Sequence, residues 1–404
     1  MTERLQQLSR GGPALLALAL LTLCLLALAG AARAAEPAQI TLGYLSWEED
    51  PRYTEARFLA RLPGQPWGRP VDGVKVALRD GRFTGKAVGV EYELIDEQVE
   101  QLDEVPAALA RLADKGANFV LLDLPAEGVR SALQASADRE LLLFNVSALD
   151  DSLRGEHCAA NLLHTAPSQR MLMDALGQYL VSKKWRELLV LDGTQAIDQP
   201  LIASFDAAVK RYGLDVEERR EFVLGSDPRQ RGRNNVALLT KGDYQVAVVL
   251  DALGEFAREV PYQTLEPRPV VGSAGLVPDW WHWSWDRNGA PQLNKRFLKR
   301  AKRHMSGYDW SGWVVGKAIV EASLRVKSSD FAALRDHILS AELVLDGFKG
   351  GRMNFRPWNG QLRQPIFLTA GNWVAARAPI EGFLHATNDL DTLGANADDH
   401  QCKR

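Results

Sequence analysis

Sequence motifs of the common enzyme classes are absent from this chain of 404 residues. It has no G-x-S-x-G, H-E-x-x-H or C-x-x-C pattern, and the segment from Gly81 to Lys86 has one residue too few between its glycines for a phosphate-binding loop. The seven histidines include no pair at metal-ligand spacing on a predicted helix. We therefore expect a protein that is not an enzyme, that holds no metal and that requires no cofactor.

A strong charge of either sign is also lacking, since the formal net charge is −3. Residues 1–34 contain three arginines and one glutamate, so their removal would bring the net charge to −5. A mildly acidic protein has no general affinity for nucleic acid or anionic membranes, and neither is expected as a partner. With 46% hydrophobic residues, the chain is long enough for two cores, and we expect a monomer.

The N-terminus has the pattern of a cleavable secretory signal. Two arginines precede an apolar run over residues 13–30, and Ala32-Arg33-Ala34 forms an A-x-A cleavage site. We expect a signal peptide over residues 1–34 and export of a soluble protein, with an uncleaved membrane anchor as the alternative. No second apolar stretch reaches the length of a membrane span.

Short apolar strands alternate with helical segments along most of the chain. This rhythm predicts βαβ units, and it restarts after residue 164, so we expect an α/β fold of two doubly wound lobes with parallel sheets. Ligands of such sheets bind beyond the carboxyl ends of the strands. The residues that fall at those ends are Trp47, Asp123, Asn145, Ser147, Asp192, Gln195, Asp251 and Ser273.

Cysteine is rare, and Cys24 lies inside the predicted signal. An oxidising compartment favours a disulfide between the two that remain, Cys158 and Cys402, with two unpaired thiols as the alternative. The disulfide would tie the C-terminal tail, residues 381–404, back to the first lobe.

Tryptophan is concentrated in one segment, where Trp280-Trp281-His282-Trp283-Ser284-Trp285 holds four of the eleven indoles. If this segment is extended, the rings of residues 281, 283 and 285 share one face. They would then line a pocket for a flat apolar ligand, and Trp313 on the following helix could face the same space. Ordinary core packing is the alternative.

The order of several motifs resembles that of the type I periplasmic solute-binding proteins, the leucine/isoleucine/valine-binding relatives that feed ABC importers. The resemblance covers essentially the whole chain after the signal. Its motifs are ITLGYLS, FNVSALDDSL, NLLHTAPSQRMLMDALGQYL, LLVLDG, VVGSAG and YDWSGWVVGKAIVEASL. It implies two lobes, joined by a multi-strand hinge, that close on a ligand like a Venus flytrap and are read by a permease in the inner membrane.

The same resemblance implies where the lobes begin and end. Lobe 1 would comprise residues 36–163 and 280–352, and lobe 2 residues 164–279 and 353–380. His164 would then lie where the chain first leaves lobe 1. The tryptophan-rich segment would lie where the chain returns along the border of the cleft.

Two positions depart from the amino-acid binders of that family. Leu149 stands where they usually have a threonine, and Gly193-Thr194-Gln195 where they often have Tyr-Gly. The tryptophan-rich segment, the sequence His-Thr-x-Pro-Ser from His164 and the cysteine near the C-terminus are instead similar to a subgroup associated with pyrroloquinoline quinone-dependent alcohol dehydrogenase systems.

That similarity implies pyrroloquinoline quinone, a planar and anionic compound, as the ligand, and an alcohol dehydrogenase system as a partner. The alternatives are an amino acid or a small aromatic or alcohol-derived carboxylate in the same fold, or a ligand-sensing protein without transport. The candidate ligand-binding residues are Trp47, Asp123, Asn145, Ser147, His164, Asp192, Gln195, Asp251, Ser273, Trp281, Trp283, Trp285 and Trp313.

Overall fold

The computed structural model describes residues 37–53, 68–224, 232–399 and Cys402. The predicted signal peptide, residues 1–34, lies outside the described residues. No helix within the described ranges is long and apolar enough to cross a membrane.

A five-stranded sheet forms the centre of lobe 1. Its strands are β1 (Ala38–Trp47), β2 (Val90–Val99), β3 (Phe119–Asp123), β4 (Leu142–Asn145) and β5 (Leu162–His164), in the order β2-β1-β3-β4-β5. Strands β1, β3, β4 and β5 pair in parallel. The register aligns Ser46 with Asp123 and Asn145 with His164, so the carboxyl ends of these strands lie along one edge.

Helices cover both faces of this sheet. The α-helices of the described residues are α1 (Val71–Ala87), α2 (Val105–Asp114), α3 (Ala126–Ala135), α4 (Gln169–Ser182), α5 (Gln199–Tyr212), α6 (Val236–Leu239), α7 (Val260–Gln263), α8 (Ala290–Ala301), α9 (Gly307–Val326) and α10 (Phe331–Leu339). Strand β3 is buried throughout, because alternate residues point to opposite faces. Val120 and Leu122 pack with α2 and α3, whereas Phe119 and Leu121 belong to the core that contains α1 and α9.

Helices α1 and α9 approach each other closely, and glycine makes this approach possible. A Cβ at Gly73 would overlap the carbonyl oxygen of Asp309, and one at Gly312 would overlap that of Pro70. The later helix α9 is thereby held against the first sheet, although more than 180 residues separate it from β3.

Lobe 2 contains a second parallel sheet. Its strands are β6 (Glu187–Gly193), β7 (Asp215–Phe222), β8 (Val246–Leu250) and β9 (Val270–Gly272), in the order β7-β6-β8-β9. A smaller antiparallel sheet of β10 (Val277–Asp279), β13 (Ile366–Ala370) and β14 (Trp373–Ala378) packs against α4. The short pair β11 (Leu345–Asp346) and β12 (Arg352–Met353) lies beside α9 in lobe 1.

Three segments connect the two lobes. The first crossing, residues 165–168, runs from β5 to α4; the second, residues 280–289, runs from β10 to α8; and the third, residues 354–365, runs from β12 to β13. The residue that precedes the first crossing is hydrogen-bonded to the third crossing: the His164 amide donates to the Gly360 carbonyl at 2.9 Å, and the Leu362 amide donates to the His164 carbonyl at 2.9 Å.

The C-terminal segment packs onto the rest of the chain through buried charges. Asp391 is fully buried and accepts hydrogen bonds from Arg356 Nε at 2.8 Å and from Arg363 Nε at 2.9 Å. Beyond it, Cys402 forms a disulfide with Cys158 of lobe 1, with the two Cα atoms 5.5 Å apart. The C-terminal tail, residues 381–404, is therefore held near its middle by Asp391 and near its end by Cys402.

Candidate ligand-binding cleft

A cavity of about 450 Å³ lies between the carboxyl ends of the two parallel sheets. In both sheets the first strand is flanked by the second and third, so the strand order reverses between β1 and β3 and between β6 and β8. The loops that follow β1, β3, β6 and β8 all contribute to the cavity wall. Its size is within the range of pockets for small molecules.

Two further depressions, of about 490 and 570 Å³, lie in lobe 1 around Glu321 and Arg352. They are formed by α9 and its neighbours rather than by strand ends. A movement of one lobe against the other would not close them, so the cavity between the sheets is the candidate site.

Arg52 is the main cation of the cavity wall. Its backbone amide and its Nε both donate to Asp50 Oδ1 at 2.9 Å, and Nη2 lies 3.5 Å from Asp123 Oδ1. Burial alone lowers the pKa of Arg52, but the hydrogen bonds to Asp50 and the nearby charges outweigh it, and the pKa lies well above its ordinary value. Arg52 Nη1 is buried and has no hydrogen-bond partner among the described residues.

Asp123 lies beneath this arginine and does not line the cavity. Its Oδ2 accepts from Tyr44 at 2.8 Å and from Arg69 Nη1 at 3.3 Å, and its Oδ1 accepts from Tyr53 at 2.7 Å. Burial and the charge of Asp123 raise the pKa of both tyrosines well above their ordinary value, so they stay protonated donors. Both carboxylate oxygens of Asp123 therefore accept hydrogen bonds from within the protein, and Oδ1 also lies close to Arg52.

The loop after β4 presents Ser147 to the cavity, and Asn145 shapes that loop. Asn145 Oδ1 accepts from the amides of Ser147 at 3.2 Å and Ala148 at 2.8 Å, and its Nδ2 donates to the Ala148 carbonyl at 2.8 Å. This is the turn that asparagine side chains form with their own backbone. The hydroxyl of Ser147 is buried, lines the cavity and has no hydrogen-bond partner within the described ranges.

Lobe 2 contributes a wall built on Asp251. The four backbone amides of residues 253, 254, 256 and 257 donate to its carboxylate at 2.8–3.1 Å, so both carboxylate oxygens are used within the protein. The Asp251 amide in turn donates to Ser273 Oγ at 2.9 Å. Gly272 precedes this serine with φ +105°, where an added Cβ would lie 2.5 Å from the Val249 carbonyl, so the turn out of β9 requires glycine.

Aromatic and apolar side chains complete the cavity. Trp47 enters it from the end of β1, and Tyr308 from the first turn of α9. The larger aliphatic residues are Leu149, Leu172, Met173, Ile197, Leu201, Leu253 and Val277. A ligand would therefore meet mostly apolar walls, with Arg52 and Ser147 as polar groups whose hydrogen-bonding capacity is not fully used.

The tryptophan-rich segment is not the extended strand that we expected. Strand β10 ends at Asp279, whose Oδ1 accepts from the amides of Trp280 and Trp281, and the Trp285 amide then donates to the His282 carbonyl at 3.0 Å. This turn rotates the indoles away from a common face.

Each of the four candidate indoles packs against another aromatic side chain of the protein. Trp281 is buried and stacks on Trp310 at 6.3 Å between ring centroids, and Trp283 stacks on His304 at 4.4 Å. Trp285 lies on Phe367 at 4.8 Å and Trp313 beside Phe348 at 5.5 Å. None of the four is among the described residues that line the cavity.

The other candidates lie near the cavity without lining it. The buried His164 holds the hinge through its backbone, and its Nδ1 lies 3.1 Å from Asn145 Nδ2. Asp192 pairs with Arg219 at 2.8 Å, and Gln195 begins the short helix after β6. Of the thirteen candidates, the structure brings four together around the cavity: Trp47, Ser147, Asp251 and Ser273.

Sequence reasoning missed Arg52 and Tyr308. Arg52 lies five residues beyond the end of β1, in a polar loop whose return toward the sheet depends on Asp123. Its one local signal is Asp50, two residues before it. Tyr308 starts a helix that is distant in sequence from the first sheet, and no local pattern connects the two.

This arrangement of two α/β lobes, three crossings and a cavity at the carboxyl ends of both sheets is the type I periplasmic binding protein fold. The fold class predicted from the sequence is confirmed. The protein-family model described as Periplasmic binding protein matches residues 63–228, which is less than half of the chain. No curated protein matches the chain significantly.

Solved structures share the fold over most of the chain. A periplasmic binding protein from Burkholderia mallei is 15% identical, with a TM-score of 0.66, and covers 91% of this chain and 99% of its own. An ABC transporter solute-binding protein from R. palustris, in complex with benzoate, is 11% identical with a TM-score of 0.65 over 91% of this chain and 100% of its own. An ABC transporter substrate-binding protein from Desulfitobacterium hafniense, in complex with Leu, is 14% identical with a TM-score of 0.63 over 83% and 99%.

Proposed function

We propose that this chain is the periplasmic solute-binding component of an ABC importer and that it binds a small carboxylate between its lobes. The fold and the proteins that share it support the transport role. The observation that carries the ligand class is the pair of buried, unpartnered polar atoms at the cavity, Arg52 Nη1 and Ser147 Oγ, judged among the described residues.

A carboxylate suits these two groups because it accepts hydrogen bonds and carries a charge opposite to that of Arg52. A buried donor without an acceptor costs free energy, and a ligand oxygen at that position would remove the cost. Two neighbouring acids already have partners within the protein. Asp50 is paired with Arg52, and Asp251 accepts hydrogen bonds from four backbone amides.

The rest of the cavity favours a carboxylate that carries a planar ring. Trp47 and Tyr308 can pack against a ring face or edge, and the aliphatic walls exclude water from it. Pyrroloquinoline quinone combines fused planar rings with carboxylates and is the first compound to test. Benzoate, bound by the R. palustris protein, represents the smaller members of the class.

An amino acid is the second candidate, and Asp150 is the observation that favours it. Asp150 also lines the cavity, and its carboxylate would pair with the ammonium group of an amino acid whose carboxylate binds Arg52. The Desulfitobacterium hafniense protein in complex with Leu has this kind of ligand.

The test is calorimetric titration of the mature protein with pyrroloquinoline quinone, benzoate, 3,4-dihydroxybenzoate and leucine, with melting temperatures measured in parallel. Saturable binding of a ring-bearing acid without turnover, weakened by Arg52→Gln, supports the proposal. Binding of leucine alone would support the second candidate. If none of the four compounds binds, the proposed ligand class is wrong. Loss of ligand uptake in a deletion strain would distinguish a transport role from a sensing role.

A further inference from the structure

Arg154 is a buried arginine, 4% exposed, directly behind the loop that carries Ser147. Its Nη1 donates to the carbonyls of Ala148 and Asp150, both at 2.9 Å. Ala148 and Asp150 both line the ligand cavity. One nitrogen of Arg154 therefore fixes the backbone of the cleft loop on both sides of Leu149.

The remaining nitrogens of Arg154 bind the hinge. Nη2 donates to the carbonyls of Ala166 at 2.8 Å and Pro167 at 3.2 Å, which belong to the first crossing. Nε donates to Gln361 Oε1 at 3.0 Å, and Gln361 lies in the third crossing. All five N–H groups of the guanidinium thus have an acceptor on one of three segments, two of them near Arg154 in sequence and the third, at Gln361, 207 residues away.

Gln361 completes the connection between the two crossings. Its Nε2 donates to the Ala166 carbonyl at 3.0 Å and lies 3.3 Å from the His164 carbonyl. Arg154 and Gln361 share the Ala166 oxygen, so a change in the separation of the crossings would strain bonds to both side chains.

Burial of the charged Arg154 costs free energy, because its hydrogen-bond partners are neutral oxygens. Burial lowers the pKa of Arg154 to about 10, and the charges of Asp151 and Asp150 raise it only in part. Within the described part of the chain, no carboxylate forms an ion pair with it, and neutral oxygens accept all its hydrogen bonds. Lysine cannot replace this arrangement, because an ammonium group lacks the planar fork that reaches three segments at once.

We propose that Arg154 is a positioning residue that couples the cleft loop to the hinge, so that the position of Ser147 and the angle between the lobes change together. This inference rests on the proposed function in one respect, namely that a ligand closes the lobes. The coupling itself belongs to the ligand-free protein and is measurable there.

The experiment compares the wild type with Arg154→Lys and with a matched control, Arg303→Lys. Arg303 is equally buried at 5%, but its side-chain carboxylate partners, Asp72 and Asp309, both lie within lobe 1. Spin labels on p-acetylphenylalanine at Phe83 in lobe 1 and Tyr262 in lobe 2 leave the native disulfide intact. These positions are 75% and 88% exposed and tolerate a label.

In the ligand-free Arg154→Lys protein, we expect a broader distribution of distances between the labels. We also expect amide hydrogen exchange about tenfold faster at residues 146–150 and at Thr165 and Ala166. The Arg303→Lys control should lose melting temperature without either change. An unchanged distance distribution and unchanged exchange in Arg154→Lys, with only a lower melting temperature, would reduce Arg154 to a structural residue and overturn the proposal.

The ligand titration of the wild type stays separate from this comparison. If no compound of the panel binds while Arg154→Lys widens the distance distribution, the ligand class is wrong and the coupling holds. If a ring-bearing acid binds the wild type and the variant equally well with an unchanged distribution, the ligand class holds and the coupling is wrong.

Discussion

Replacement of Arg52 by glutamine tests the candidate site most directly. The change removes the one cation that faces the cavity with a buried, unpartnered nitrogen among the described residues. Hydrogen bonds to a charged group contribute about 1.5–3 kcal/mol. Since about 1.4 kcal/mol corresponds to a factor of ten in affinity, we expect the dissociation constant for a carboxylate ligand to rise about 10- to 100-fold.

The same substitution has a cost in folding that must be separated from binding. Asp50 is 2% exposed and has Arg52 as its salt-bridge partner, so Arg52→Gln leaves a buried carboxylate without its cation. We expect the free energy of unfolding to fall by about 1–3 kcal/mol. The double variant Arg52→Gln with Asp50→Asn removes that buried charge and should recover much of the stability but none of the affinity.

The affinity of the wild type, of Arg52→Gln and of the double variant is measured by calorimetry at a fixed pH. Their free energies of unfolding are measured in urea at the same pH. Affinity that returns together with stability in the double variant would refute the role of Arg52 as the carboxylate anchor. Wild-type affinity in Arg52→Gln itself would do the same. Weak binding in both variants, with stability restored only in the double variant, is the result that the geometry requires.

Further expectations concern the core, the disulfide and pH. Trp281→Ala should lower the free energy of unfolding by about 3–5 kcal/mol and leave the ligand affinity of the folded fraction unchanged, as calorimetry would show. Cys158→Ala with Cys402→Ala should lower it by about 2–4 kcal/mol in urea, and two free thiols in periplasmic material would contradict the bond. Burial raises the pKa of Asp174 to about 6, so the folded state binds its proton more tightly than the unfolded state does. The free energy of unfolding should therefore fall by about 1–3 kcal/mol as the pH rises from about 4 to 6. The urea midpoints of Asp174→Asn should lack this decrease.

Strand β7 shows where local pattern is too weak to predict structure. Six of the eight residues of its sequence DVEERREF are charged. It lies at the edge of the second sheet with its side chains largely exposed, so no apolar alternation marks it. Its pairing with β6 supplies the order that its own residues do not signal.

The tryptophan-rich segment shows a different source of error. Alternation at residues 281, 283 and 285 predicts one shared face only if the backbone is extended. Asp279 accepts the two amides that follow it and turns the chain, and helices α8 and α9 then supply partners for the rings. Trp281 is buried, and its partners Asn294 and Trp310 lie 13 and 29 residues later in the chain.

The sequence by itself determined the features that repeat along the chain or depend on a few neighbours. The alternation of apolar strands and helices specified two parallel-sheet lobes, and the strand ends located four residues of the cavity wall, because period and strand direction are local properties. Only the tertiary structure decided which polar atoms are satisfied. Arg52 is held by Asp50, two residues before it, and by Asp123 at the end of β3, and Arg154 reaches Gln361 across 207 residues. Hydrogen-bond satisfaction at the cleft depends on segments that meet only when the lobes have formed.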